Sequence, residues 1–128
     1  MAPSQVMRNV LIVEDDYQFA DVLTEVLNHE NCSSDQAANG LEALDRLRTG
    51  TYDAIVCDLM MPRLDGESLY RQVERDFPYL TQRFIFITGQ ASVNAGKTDF
   101  IYNTGNVLLT KPFDIDDFRK ALHELFSR

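Results

Sequence analysis

Four short, wholly apolar runs set the limits on what this chain can fold into: Val10-Leu11-Ile12-Val13, Ala54-Ile55-Val56-Cys57, Phe84-Ile85-Phe86-Ile87 and Val107-Leu108-Leu109. A short run with no polar alternation reads as a strand buried on both faces, the situation of strands in a parallel sheet. Parallel neighbours need long crossovers, and the intervals between the runs carry helical spacing. Phe19, Val22, Leu23, Val26 and Leu27 share one helical face and are read as core. Leu41, Ala43, Leu44 and Leu47 follow an Asn39-Gly40 turn, while Leu69, Val73 and Phe77 stop before Pro78. The segment after Ser92 is the poorest helix, with Gly96 inside it and Gly105 at its end. Asp114 caps a last helix in which Ile115, Phe118, Leu122 and Leu125 face inward. A weaker candidate strand, Cys32 to Ala38, is polar enough to suit a sheet edge. Strands alternating with helices imply right-handed crossovers and a doubly wound α/β domain of four or five such units.

The chain has 128 residues, 45% of them hydrophobic and 25% charged, which is ordinary for a globular protein. A single domain over residues 1–128 is expected, with residues 1–8 as a loose lead-in. The net charge of −8 argues against direct binding to nucleic acid or to an anionic membrane surface. The longest uninterrupted apolar run is four residues, too short for a membrane span or a signal-peptide core. Cys32 and Cys57 stand in no metal-ligand spacing and read as free, buried thiols of a protein in a reducing cytoplasm.

Each apolar run stops at a charged or reactive side chain: Glu14-Asp15-Asp16, Asp58, Thr88 and Lys111. In a parallel sheet these termini share one edge, where open α/β sheets place their ligands. Gathering carboxylates there is costly, since two unit charges about 4 Å apart repel by about 4 kcal/mol at an effective dielectric of 20. Either their pKa values are driven apart or a cation sits among them. An oxygen-only set at a solvent-facing edge suits Mg²⁺, whereas zinc would want His or Cys and neither His29 nor His123 lies at a strand end. Helix capping accounts for Asp16. It does not account for Asp58, which is followed by a loop containing Met61-Pro62 and Asp65-Gly66. A carboxylate with a metal, a lysine and a hydroxyl makes a phosphoryl acceptor: Asp58 attacks phosphorus while Mg²⁺, Lys111 and Thr88 attend the peripheral oxygens.

The set Glu14-Asp15, Asp58-Leu59-Met60-Met61-Pro62, Thr88 and Lys111-Pro112-Phe113 resembles the receiver domain of two-component response regulators, over about Asn9 to Phe126. The resemblance implies a flavodoxin-like sheet in the order 2-1-3-4-5 with five helices. It implies that Asp58 accepts a phosphoryl group from a phosphohistidine on a sensor histidine kinase or histidine phosphotransfer protein. Glu14, Asp15, Asp58 and the backbone carbonyl of Met60 would hold Mg²⁺. Thr88 would bind a phosphate oxygen, Lys111 would pair with the phosphate, and the Lys111-Pro112 peptide would be cis. Partner docking is implied near the first helix and on the face of the last two units. The Ile87-Thr88-Gly89 run and the Phe100 to Phe113 segment look more like receivers attached to hybrid histidine kinases.

One position departs from the family pattern. The aromatic residue usual three places before the lysine is Leu108 here, so movement of the loop and helix after Thr88 is expected without an aromatic flip. Met60 and Gln90 occupy the two positions that flank the attacking water in this family; Gln90 can hold a water and Met60 cannot. Three alternatives differ in kind. Ala91 to Thr98 is similar to a degenerate P-loop, but Ala91 stands where the phosphate cradle needs glycine. An adaptor that binds partners without phosphorylation would be signalled by a lost acidic or lysine residue, and none is lost. An aspartyl phosphatase would need a second Asp at Met60.

Overall fold

The computed structural model describes residues 7–128. Most of the expected lead-in, residues 1–6, lies outside the described residues, and Arg8 already opens the first strand. Five strands form the sheet: β1 (Arg8–Val13), β2 (Cys32–Ala37), β3 (Ala54–Asp58), β4 (Phe84–Gly89) and β5 (Val107–Lys111). All pairs are parallel and the order is β2-β1-β3-β4-β5, the flavodoxin-like order expected. The polar strand β2 is at one edge, as its composition suggests, and the half-buried β5 is at the other.

The apolar runs are continuous because each strand feeds two cores. Leu11, Val13, Ile55, Cys57, Phe84 and Phe86 pack with α2 (Gly40–Thr49) and α3 (Gly66–Asp76) on one face. Val10, Ile12, Ala54, Val56, Ile85 and Ile87 pack with α1 (Tyr17–His29) and α6 (Ile115–Phe126) on the other. Asp16, Asn39, Asp65 and Asp114 cap α1, α2, α3 and α6 with their side chains, and Asp117 completes a capping box at α6. Cys32 and Cys57 are free and buried. Among the described residues no helix is long and apolar enough to cross a membrane.

Among the described residues there are six α-helices, not five, because the fourth crossover is split. A five-residue α4 (Gln90–Asn94) and a four-residue α5 (Asp99–Tyr102) replace one continuous helix. Gly96, at φ +76°, lies in the break, and neither piece has a side-chain cap. β4 and β5 also run two residues past their apolar runs, because Thr88 pairs with Thr110 and Gly89 with Lys111 in the backbone ladder. Several residues of the apolar helical stripes are not fully inside. Phe19 is half-buried, while Val22, Leu41 and Ile115 are 46%, 44% and 49% exposed. They sit on the flanks of their apolar stripes, which helical periodicity alone does not separate from the centre.

Candidate functional site

Glu14 directly follows β1, and its amide donates to the Ala37 carbonyl at 2.9 Å, tying it to the neighbouring strand. The side chain is only 4% exposed. Its Oε2 accepts from the Asp16 amide at 3.2 Å, and its Oε1 is buried without a hydrogen-bond partner. Asp15 is exposed, and Asp16 turns away to cap α1 by accepting from the Gln18 and Phe19 amides. Three adjacent acidic residues therefore have three environments.

Asp58 is the last residue of β3 and is 7% exposed. Its Oδ1 accepts from the Met60 amide at 3.0 Å, which fixes the carboxylate against its own loop. That loop is held close by Gly66, where a Cβ would meet the Leu59 Cα at 2.8 Å. Lys111 ends β5, and its Nζ lies 3.5 Å from Asp58 Oδ2 and 3.6 Å from Glu14 Oε1. The Phe19 ring lies beneath the ammonium at 4.5 Å, a cation–π contact that steers the lysine toward the carboxylates. The Lys111-Pro112 peptide is cis, as the resemblance implies. Thr88 in β4 is 1% exposed, and its Oγ1 has no hydrogen-bond partner.

The strand ends thus bring Glu14, Asp15, Asp58 and Lys111 together. Each of the three acids offers a carboxylate oxygen within 4.8 Å of the others. Burial, and then the nearby Asp58 charge, push the Glu14 carboxyl up from its usual 4.5 to about 7. A buried carboxylate oxygen without a hydrogen-bond partner, in an oxygen-only cluster, is what a hard divalent cation would relieve, so these residues fit Mg²⁺. Met60 contributes its amide to Asp58, and its side chain is 49% exposed at the mouth. Gln90 bonds to Asn94 one helical turn on. Leu108 lies opposite Phe86 in the sheet and packs on the α3-side core, and Phe100 is engaged with Tyr70 and Phe86 instead.

The P-loop alternative fails on this geometry. Ala91 to Asn94 are helical where a phosphate loop needs extended glycine-rich backbone, and the Lys97 amide turns back onto Ser92. Two features escaped the sequence reading. Tyr70 joins Phe84, Phe86 and Phe100 in an aromatic cluster; its position three residues before Val73 is the available signal. Lys97 approaches the Met60 sulfur at 3.9 Å, and nothing in the sequence marks a contact between residues so far apart.

Comparison with known proteins agrees with this arrangement. The chain is 33% identical over 122 residues to the response regulator ArlR of Staphylococcus haemolyticus, a match covering 95% of this chain and 54% of that protein. It spans about half the length of the relatives of that kind that it matches. The receiver domain of the Francisella response regulator 1452 superposes with a TM-score of 0.79 at 30% identity, covering 94% of this chain and 98% of that one. The signal receiver domain of a signal transduction histidine kinase from Syntrophus aciditrophicus gives 0.82 at 26%, covering 94% and 90%. The model of the response regulator receiver domain matches residues 10–123, from the first apolar strand into the last helix, and the chain belongs to that family.

Proposed function

We propose that this chain is the phosphoacceptor of a two-component phosphorelay, in which Asp58 receives a phosphoryl group from a phosphohistidine. The observation that carries the reading is the position of Lys111 Nζ, 3.5 Å from Asp58 Oδ2, at an edge where Glu14 and Asp15 also converge. An Asp58 carboxylate oxygen forms the new bond to phosphorus as the bond to the donor nitrogen breaks, leaving histidine as the departing group. Lys111 pairs with the incoming oxygens, and the free Thr88 hydroxyl donates to one of them. Glu14, Asp15, Asp58 and the Met60 carbonyl are the residues that would hold Mg²⁺. Bound there, the ion supplies positive charge to the transferring group.

The donor is a sensor histidine kinase or histidine phosphotransfer protein, and residues 1–128 act as one receiver domain, in the cytoplasm. The domain has no substrate to turn over beyond its own aspartyl phosphate. Incubation with acetyl phosphate and Mg²⁺, read by intact mass, tests the reading. One added phosphoryl group, absent without metal and absent in Asp58→Asn, is expected. No gain in the unsubstituted protein would move the account to a partner-binding adaptor.

A further inference from the structure

Next to Asp58 lies a hollow of about 310 Å³ lined by Leu59, Met60, Met61, Asp65, Glu67 and Lys97. Its carboxylates are already engaged: Asp65 accepts from the Ser68 amide at 2.8 Å and Glu67 pairs with Arg71 at 3.6 Å. The cation of the phosphoacceptor edge, Lys111, is committed to Glu14 and Asp58. Lys97 is the hollow's one cation, and among the described residues its ammonium has no carboxylate at ion-pair distance; it rests on the Met60 sulfur at 3.9 Å. Met60 is in turn bonded through its amide to Asp58. The backbone beneath Lys97 is anchored. Its amide donates to the Ser92 carbonyl at 3.0 Å, and the next residue, Thr98, is fully buried.

An anionic phosphoryl donor nearing Asp58 meets Glu14, Asp15 and Asp58 in one cluster, within a chain of net charge −8. An uncommitted cation at the mouth offsets that repulsion and raises the local concentration of the anion. We propose that Lys97 is a positioning residue for the phosphoryl donor, drawing its anionic group into the hollow beside Met60 before Asp58 attacks. This rests on the phosphoacceptor reading. With acetyl phosphate, an Asp58 oxygen bonds to phosphorus, the phosphorus–acyl oxygen bond breaks, and its electron pair leaves with acetate. Lys97 remains an ammonium ion and transfers no proton.

The test is the initial rate of mass gain against acetyl phosphate concentration, with Mg²⁺, for the unsubstituted protein, Lys97→Met and Lys97→Arg. Lys97→Met is expected to raise the half-saturating donor concentration about two- to fivefold, the range of an exposed charge pair, with the saturating rate unchanged. Lys97→Arg keeps the original value. In about 1 M salt, where the Debye length is about 3 Å, the difference disappears. An unchanged half-saturating concentration in Lys97→Met overturns the inference, as does an equal rise in Lys97→Arg or a fall in the saturating rate alone. A protein that takes up no phosphoryl group, or an Asp58→Asn variant that still does, overturns the acceptor reading itself and the inference with it.

Discussion

Between β3 and β4 the chain crosses through α3, an eleven-residue helix capped by Asp65, with Leu69, Tyr70 and Val73 buried against Phe84 and Phe86. Between β4 and β5 it crosses through α4 and α5, five and four residues long, without a side-chain cap on either. The first crossover leaves β3 directly after Asp58 and the second leaves β4 one residue after Thr88, so the carboxylate borders the capped crossover and the hydroxyl the uncapped one. Short helices gain little from their own hydrogen bonds, and elements with few buried contacts open first. The buried Thr98 hydroxyl, which has no hydrogen-bond partner, weakens the second crossover further. The difference sets up a contrast to test: the crossover after Asp58 is long, capped and well packed, whereas the one after Thr88 is built of short pieces without side-chain caps.

The largest contrast is expected from matched core truncations. Leu69→Ala in α3 should cost about 3–5 kcal/mol in denaturant unfolding, because a long capped helix cannot collapse into the cavity. Ile101→Ala in α5 removes an equally buried side chain, yet a four-residue helix relaxes more, and a cost near the lower end, about 2 kcal/mol, is expected. Equal costs would break the comparison.

The strand-end cluster around Asp58 carries an electrostatic load of its own. In metal-free protein the Glu14 carboxyl titrates near 7, above its usual 4.5. Below pH 4.5 it is protonated in both folded and unfolded chains and costs nothing. As pH rises toward 7 the unfolded chain has released the proton and the folded one holds it, so stability falls, on the order of 3 kcal/mol by pH 8. Unfolding curves across that range should show this slope with chelator, a smaller one with Mg²⁺, and its loss in Glu14→Gln. A chelator curve that Glu14→Gln leaves unaltered would remove the load from the account.

Smaller effects probe the crossovers directly. Asp65→Ala removes the acceptor for the Ser68 amide and should cost about 1 kcal/mol. Thr98→Val replaces an unpaired buried hydroxyl by a methyl group of similar shape and should be neutral or stabilising by less than about 1 kcal/mol. A marked destabilisation by Thr98→Val would show that the hydroxyl has a partner. Hydrogen exchange before and after phosphoryl loading sharpens the same point: protection should change in Gln90–Tyr102 and stay constant in Gly66–Asp76. A static segment after Thr88 would contradict that contrast.

Much of this was legible in the sequence where local chemistry sufficed. Apolar runs identified four of the five strands, capping aspartates marked α1 and α6, and the residues following the runs named Glu14, Asp15, Asp58, Thr88 and Lys111 as candidates. Legibility failed where the determinant was non-local. Gly96 was visible as a weakness, but whether a weak helix bends or splits depends on what packs against it. Val22, Leu41 and Ile115 carry apolar side chains on stripe flanks, a matter of tertiary angle rather than spacing. The proximity of Lys97 to Met60 depends on how two loops meet above the sheet.

Phosphoryl transfer to Asp58 would leave a covalent bond at one oxygen-bearing side chain, so the most direct measurement locates that bond. Protein loaded with acetyl phosphate and Mg²⁺ is reduced with borohydride, which converts an acyl phosphate on aspartate into homoserine, and is then mapped by peptide mass. Homoserine at position 58 and at no other acidic position is the predicted result. Homoserine at position 15, an equivalent reduced residue at Glu14, or an unmodified Asp58 in loaded protein would contradict the account.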